Sequence, residues 1–373
     1  MRITFVLPTV DMSGGIRVIA IYAKALVARG HTVKLVSPPP RRALRRKLKS
    51  LIRGKGWPAA GRAPASHLDG SGLDHRVLDH WRPVTDADVP DADVVIATWW
   101  ETAEWVAELG AEKGAKAYFV QAHEIHPYLP VARCHATYRL PLHKIVISRW
   151  LADVMRDQYG DDCVDLVPNS VDPAQFFALE RGKQRLPTVG LLYSTAAYKA
   201  VEVAVAAVAE VHERMPELRV VSFGSDRQDA ALPLPEYVRF FFSPPQEEIR
   251  NLYAQCDAWI SASRSEGFNL PAMEAMACRT PIVSTRTGWP EEVIVSGRNG
   301  VLTEIDNVGA LAQGLEWILR LPDDEWRMLS QRAYETAREG SWEASSRLFE
   351  EALKRASVRA ARGEIGGNRA QAA

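Results

Sequence analysis

Short runs of β-branched and aromatic residues alternate along this chain with longer stretches in which apolar residues recur every three to four positions. Strands buried on both faces read as continuous apolar runs, and one-sided helices read with that longer period. In the first half the pattern predicts strands over residues 3–7, 32–37, 94–98, 117–120, 145–147 and 164–167. It predicts a helix over 16–29, with its apolar face at Ile16, Ile19, Ala20, Ala23, Leu26 and Val27. The rhythm breaks at Pro168-Asn169-Ser170-Val171-Asp172-Pro173, and a polar stretch, Glu180-Arg181-Gly182-Lys183-Gln184-Arg185, follows. A second cycle then starts, with strands expected over 188–192, 220–223, 238–242, 258–261 and 281–284 and a helix over 201–211. Strand–helix alternation of this kind is the mark of parallel α/β domains. The expected organisation is a domain over 1–172, a second over 185–340, a helix over 341–362 packing back on the first, and a disordered tail over 363–373. The last helix carries Trp342, Leu348, Phe349, Ala352 and Leu353 along one stripe. Because ligands bind outside the carboxyl ends of parallel strands, two such domains are expected to face each other across a cleft.

Composition narrows the class. The chain has 373 residues, 47% hydrophobic and 25% charged, which suits globular domains rather than disorder. Its 46 basic and 46 acidic residues balance, so no global charge draws it to nucleic acid. Cys134, Cys163, Cys256 and Cys278 have no paired metal-ligand spacing and read as buried thiols of a reducing compartment. No apolar run reaches the length of a membrane span, and the opening apolar run reads as a strand rather than a signal peptide. The expected location is the cytoplasm, on the inner face of a membrane if the basic segment described below binds lipid.

The richest segment is Ser265-Glu266-Gly267-Phe268-Asn269-Leu270-Pro271-Ala272-Met273-Glu274. It follows the predicted strand at 258–261, and Pro271 suits the first turn of a helix. Glu266 then falls on the loop at the strand's carboxyl end and Glu274 about one turn into the helix. Between them the N–H groups of the loop and helix start form an anion site. Two carboxylates that can hold hydroxyls, flanking a phosphate-sized positive pole, suit a sugar joined to a nucleoside diphosphate.

Other candidates carry two readings each. Gly14-Gly15, after the first strand, either admits a ligand to the backbone or simply permits a tight turn. His123, just past the strand at 117–120, is either a proton acceptor or donor for a reacting group, or a structural histidine tied to Glu124 or the backbone. Lys199 either neutralises a leaving diphosphate or is a solvated lysine at a helix start, where the dipole disfavours it. Asp86, Asp88, Asp91 and Asp93 lie at turns and at a strand's entry, the wrong end for a ligand, and read as turn chemistry. Arg41, Arg42, Arg45, Arg46, Lys47 and Lys49 surround Leu44, Leu48, Leu51 and Ile52 at helical spacing. That segment either meets an anionic membrane, at about 1 kcal/mol per basic residue, or packs through the leucines with a solvated basic face.

With these residues in place, the chain resembles the family-4 retaining glycosyltransferases of GT-B fold. The resemblance is carried by residues 265–271, by Glu274-Ala275-Met276-Ala277-Cys278 and Pro281-Ile282-Val283, and by Gly288, Glu292, Gly297 and Asn299-Gly300-Val301-Leu302. It extends to Pro168-Asn169-Ser170-Val171-Asp172, Gly14-Gly15 and His123. It implies two Rossmann-like domains and transfer of a sugar from a nucleotide sugar to a glycan or lipid-linked acceptor, with neither cofactor nor metal. Glu274 would hold the ribose and Glu266 the transferred sugar. Gly14, Gly15, Phe268, Asn269 and Leu270 would bind the donor, Lys199 the leaving phosphates, and His123 would place donor sugar and acceptor. Three positions depart from the family: Tyr193 stands where an arginine is common and is expected as a donor contact, and Asn269 and Arg279 replace glycines, Arg279 reading as a surface residue. Residues 97–103 and 119–124 look like the bacterial surface-polysaccharide branch. Two other readings stay open: a non-catalytic sugar-nucleotide or glycan-binding subunit, motivated by Tyr193, and a nucleotide-sugar epimerase.

Overall fold

A computed structural model of the chain describes residues 1–41 and 65–366. Arg42, Arg45, Arg46, Lys47 and Lys49 of the basic segment lie outside the described residues, as do residues 367–373 of the expected tail. The chain divides into two compact units, Met1–Val146 with Leu151–Val167 and Ser346–Ala373, and Ile147–Trp150 with Pro168–Ser345.

The first unit holds a parallel sheet of β1 (Arg2–Val6), β2 (Thr32–Ser37), β3 (Asp74–Val77), β4 (Val94–Ala97), β5 (Ala115–Val120), β6 (His143–Val146) and β7 (Asp165–Leu166). Their order is β3-β2-β1-β4-β5-β6-β7, with Ile3 in register with Val33 on one side and Val94 on the other. Every residue of β4 and β5 is buried, which is why these strands read as unbroken apolar runs. β3, an edge strand of sequence DHRV with no buried residue, carries no such signal and was not expected. Helix α1 (Gly14–Ala28) buries Ile16, Ile19, Ala20, Ala23 and Leu26 against the sheet, with Val18 and Tyr22 beside them. Val27, expected in that stripe, is 47% exposed, because one residue past Leu26 is a turn of 100° around the helix. Helices α2 (Trp100–Glu108), α3 (Val131–Thr137) and α4 (Arg149–Tyr159) follow β4, β5 and β6.

The second unit repeats the design with β8 (Thr188–Leu192), β9 (Arg219–Gly224), β10 (Val238–Phe242), β11 (Ala258–Ser261), β12 (Ile282–Thr285) and β13 (Val301–Thr303), ordered β10-β9-β8-β11-β12-β13 and all parallel. Its helices are α5 (Val201–Arg214), α6 (Gln246–Ala254), α7 (Leu270–Ala277), α8 (Trp289–Val293), α9 (Val308–Arg320) and α10 (Asp323–Ala337). Val189, Leu191, Ala207, Val211, Ile260 and Leu315 join in one core, each large side chain contributing about 1.5–3 kcal/mol through burial. In both units the strand order reverses after the first strand, between β1 and β4 and between β8 and β11. These are the switch points at which such sheets bind ligands.

Helix α11 (Trp342–Ala361) groups with the first unit from Ser346 on. Phe349 stacks on Tyr22 at 4.5 Å and meets the Phe119 ring edge-on at 5.0 Å, and Ala352, Leu353 and Ala356 are fully buried. Leu348, expected in the buried stripe, is instead 38% exposed, since its neighbour Phe349 takes the core direction. Residues 363–366, expected as disordered tail, are held in place. Ile365 is buried, the Gly366 N–H donates to the Pro141 carbonyl at 3.0 Å, and Arg359 pairs with Glu364. Among the cysteines, Cys134, Cys256 and Cys278 are buried, but Cys163 is exposed, because it falls in the connection between α4 and β7 rather than in either. Among the described residues no helix is long and apolar enough to cross a membrane.

Candidate functional site

Lys199 and Glu266 leave the carboxyl ends of β8 and β11, the two strands flanking the switch point of the second unit. Their side chains meet there: Lys199 Nζ donates to Glu266 Oε1 at 2.7 Å. Ser263 Oγ donates to the same oxygen, also at 2.7 Å, whereas Oε2 takes no donor among the described residues. Burial would depress the Lys199 ammonium, but the adjacent carboxylate more than offsets it, and the pKa rises above that of a free lysine. Lys199 is therefore not the solvated lysine of a helix start. It is a largely buried cation whose partner is a largely buried anion. Breaking such a pair from one side costs about 3–5 kcal/mol.

The turn from Glu266 into α7 is held from several sides. Asn269 adopts a left-handed conformation, φ +77°, which suits glycine or asparagine. Its Oδ1 caps the Ala272 N–H at 3.4 Å and its Nδ2 donates to Ser261 Oγ at 2.8 Å. Asparagine thus keeps the backbone that glycine gives and adds a tether. Gly288, φ +59°, lies where a β-carbon would come 2.7 Å from the Phe268 carbonyl and 3.0 Å from Glu266 Cβ, so only glycine fits. The Trp289 N–H donates to the Phe268 carbonyl at 2.8 Å. So fixed, the N–H groups of Phe268, Asn269 and Leu270 have no protein acceptor among the described residues. They supply an anion pole beside Lys199 and Glu266. Glu274, one turn along α7, is 5% exposed, and Tyr253 donates its hydroxyl to Oε2 at 3.0 Å.

Tyr193 corrects an expectation. It is 1% exposed, rests against Phe240, donates its hydroxyl to the Leu232 carbonyl at 2.9 Å and accepts the Asp229 N–H at 2.8 Å. A ring so committed is core and not a donor contact. Arg279, expected as a surface residue, also sits at positive φ. It ties the Ala178 carbonyl to Gln331 and stacks on Tyr334.

In the first unit Gly14 and Gly15 open α1 directly after the β1 loop. A β-carbon on Gly14 would meet nothing within 4 Å, so packing does not require glycine there. A β-carbon on Gly15 would touch the Gln121 side chain, whose Nε2 donates to the Gly15 carbonyl at 3.3 Å. His123, past β5, is 6% exposed. Its Nε2 lies 2.6 Å from the Tyr159 hydroxyl, which also lies 2.7 Å from His135 Nδ1. Burial, then the neighbouring imidazoles of His135 and His126, lowers the His123 pKa to about 4. Glu124 turns inward to the Trp100 N–H and the Tyr118 hydroxyl, and burial raises its pKa well above the usual carboxylate range.

The aspartates at the turns are engaged locally. Asp88 is gripped by Arg82 and Thr85, Asp91 pairs with Lys113 at 2.8 Å, and Asp93 accepts the Arg2 N–H at 2.7 Å. Arg41 pairs with Glu101 at 2.6 Å and stacks on Trp81 at 3.7 Å. Sequence reasoning missed Ser263, Tyr253, Tyr159 and His135. Ser263 stands three residues before Glu266 and could have been found by that spacing. The other three lie far in sequence from the residues they touch.

Residues 180–339 match the family model of the glycosyl transferases group 1. That segment holds Lys199, Glu266, the α7 turn and Glu274. Over 232 residues the chain is 31% identical to a D-inositol 3-phosphate glycosyltransferase of Corynebacterium efficiens, covering 54% of each protein. It thus spans about half the length of the curated relatives it matches. Among solved structures it is similar to a sucrose-phosphate synthase from Thermosynechococcus elongatus, with TM-score 0.73 and 15% identity over 97% of this chain and 100% of that one. It is also similar to Anabaena HepE in complex with UDP-glucose, with TM-score 0.71 and 15% identity over 96% and 100%. At these identities the likeness is one of fold, and the fold is GT-B: two Rossmann-like parallel-sheet domains.

Proposed function

We propose that this protein is a retaining glycosyltransferase. It moves a sugar from a nucleoside-diphosphate sugar to a glycan or lipid-linked acceptor in making a surface polysaccharide or glycolipid. The observation that carries this reading is the Lys199–Glu266 pair set beside the acceptor-free N–H groups of residues 268–270. Such a site offers what a departing diphosphate needs, fixed positive charge in a largely buried place that does not have to reorganise. Lys199, already held beside those N–H groups by Glu266, would meet the charge that develops on the phosphates. Glu266, held by Ser263 through one oxygen, would keep Oε2 for a hydroxyl of the transferred sugar. Glu274 would hold the ribose. Because Tyr193 belongs to the core, Lys199 and the backbone N–H groups would carry the phosphate charge without the common arginine, and no metal is required for that role. The family match over 180–339, and the UDP-glucose bound by the Anabaena neighbour, support a uridine donor as the first to try.

The test is a panel of UDP-, GDP- and dTDP-sugars, read first by thermal shift and then by turnover in EDTA. At 100 times its Kd a donor stabilises the fold by about 2.7 kcal/mol, a rise of roughly 5–11 °C for a domain of this size. Transfer or slow hydrolysis of at least one stabilising donor, unaffected by EDTA, is the expected result. Binding without turnover of any donor would leave the non-catalytic subunit as the better account.

A further inference from the structure

Lys199 stands on a loop that is pinned at both ends. Between the end of β8 at Leu192 and the start of α5 at Val201 the chain makes a single tight turn, Ala197–Lys199, and then passes through Ala200. Ala200 is fully buried and left-handed, φ +47°. A residue with a β-carbon keeps that conformation only where its surroundings over-determine it. Two side chains do so. At the near end Asp226, beyond β9, accepts at one oxygen, Oδ2, from the Thr195 N–H at 2.8 Å, the Thr195 hydroxyl at 2.9 Å and the Ser194 hydroxyl at 3.3 Å. At the far end Arg264 donates its N–H to the Tyr198 carbonyl at 2.8 Å and its guanidinium to the Ala197 carbonyl at 3.1 Å. The same guanidinium pairs with Glu202, in the first turn of α5, at 2.8 Å and with Asp306, beyond β13, at 2.8 Å. Those two carboxylates answer its charge, so Arg264 does not compete with Lys199 for Glu266.

Arg264 also belongs to the other half of the pair. It lies between Ser263, which donates to Glu266, and Glu266 itself, and the Ser263 carbonyl accepts the Thr285 hydroxyl of β12 at 2.6 Å. One residue thus joins the segment that carries the ammonium to the segment that carries the carboxylate. We propose that Arg264 and Asp226 are positioning residues that fix the Lys199 loop, and that Arg264 sets the separation at which Lys199 and Glu266 meet a departing diphosphate. The diphosphate half of this inference rests on the function proposed above, while the loop half rests on geometry alone. Neither residue needs to touch a ligand to act. Each holds a charge where it is used, and a misplacement of about 1 Å can cost roughly 10²-fold in rate.

Side-chain 1H–15N spectra of the full chain, labelled with 15N-lysine and recorded in mildly acid solution without ligand, read Lys199 directly. A buried, hydrogen-bonded ammonium exchanges slowly enough with water to be seen. Lys199→Arg identifies its signal. Lys183, whose Nζ donates to the Leu319 and Leu321 carbonyls at 2.6 and 2.8 Å, gives a reference signal from the same unit. Arg264→Gln keeps the backbone N–H and removes the guanidinium. In this variant, and in Asp226→Ala, the Lys199 signal should broaden beyond detection while that of Lys183 stays. A wild-type Lys199 without a signal, or an unchanged one in Arg264→Gln, overturns the proposal. If Arg264→Gln loses both signals it has unfolded, and Asp306→Gly decides in its place. Glycine suits the left-handed backbone at 306, φ +59°, and removes one anchor of the guanidinium. There the Lys199 signal should shift, and an unshifted one overturns the proposal. In turnover, Arg264→Gln should lower kcat about tenfold to a hundredfold, with donor KM within about threefold, since residues 268–270 and Glu274 still hold the nucleotide. A loss confined to KM, or no loss, overturns the diphosphate half. Because the spectra need no donor, a wild type that turns over no sugar sinks the transferase reading and leaves the loop result standing.

Discussion

The carboxyl ends of the two sheets share a topology and differ in electrostatics. In the second unit the switch point between β8 and β11 keeps its charges: a buried ammonium, a buried carboxylate and unused N–H groups. In the first unit the same end of the sheet is furnished with neutral hydrogen-bonding groups. His123 is held uncharged by burial and by neighbouring imidazoles, and the rings of Tyr159 and Tyr138 also lie against it. The cause of the difference is pairing. Lys199 has a carboxylate within hydrogen-bond distance, which offsets desolvation. The carboxyl nearest His123 in sequence, Glu124, is spent on Trp100 and Tyr118. Two copies of one fold can thus be furnished differently, which under the proposed function suits one to a diphosphate and the other to hydroxyls.

The strongest way to break this comparison is to neutralise the charged end. Glu266→Gln keeps the shape and the Ser263 contact but removes the negative charge facing Lys199. We expect turnover of the best donor to fall on the order of 10³-fold, comparable to losing a principal electrostatic group of an active site, with nucleotide affinity little changed. Single-turnover assays beside calorimetric titration of the nucleotide separate the two. A fall below tenfold would mean that the ion pair is structural and that the second unit differs from the first only in how it is packed.

This contrast was half visible in the sequence. The charged end was legible because its signal is local: Glu266, Pro271 and Glu274 lie within nine residues, and a strand followed by a proline-started helix gives their placement. The fold was legible for a similar reason, since buried parallel strands such as β4 and β5 announce themselves as apolar runs. The neutral end was not. His123 was visible, but its partners come from α3 and α4, and no periodicity links residues 123, 135 and 159 before the sheet is assembled. Tyr193 failed for the opposite reason. Its position suggested a ligand contact, while the stretch that buries it, residues 229–232, lies beyond the next strand. The edge strand β3 escaped because charged residues on an edge look like loop.

A second, smaller effect sharpens the neutral side of the comparison. His123 has a pKa of about 4 in the folded chain against 6.5 when unfolded. Between those values the unfolded chain binds the proton and the folded chain does not, so stability falls as pH drops from about 6.5 toward 4 and the loss levels off below. The full loss is on the order of 3 kcal/mol. Urea unfolding at pH 7, 5.5 and 4.5 should show a shallower decline for His123→Gln than for the wild type. Other histidines with lowered values, His31, His67, His75 and His126, act in the same direction and remain in both proteins. Glu350, held near 2 by Lys354 and Arg29, acts lower. Its stabilisation is complete above about 4.5 and is lost as pH falls toward 2, so the two windows scarcely overlap. Parallel curves for variant and wild type would mean that His123 titrates in the fold as it does in the unfolded chain, and the two sheet ends would no longer differ in kind.

The smallest expected effect tests whether the charged end extends to Glu274. This carboxylate is buried in the first turns of α7, and its assignment to the ribose competes with a purely structural role in holding the Tyr253 hydroxyl. Glu274→Gln keeps an oxygen for Tyr253 and preserves the packing of the helix, so a structural role alone predicts little change. A ribose role predicts that the nucleotide binds about tenfold more weakly, near the low end of the roughly 1.5–3 kcal/mol that hydrogen bonds to charged groups contribute, with kcat nearly constant at saturating donor. Tyr253→Phe supplies the converse. It leaves the carboxylate in place but removes the hydroxyl that donates to it, so affinity should fall by less than in Glu274→Gln if the carboxylate itself meets the ligand. If instead Tyr253→Phe weakens binding more than Glu274→Gln, the hydroxyl is the group that matters. The charged end would then stop at Glu266, and Glu274 would belong with the buried polar residues that position the helix.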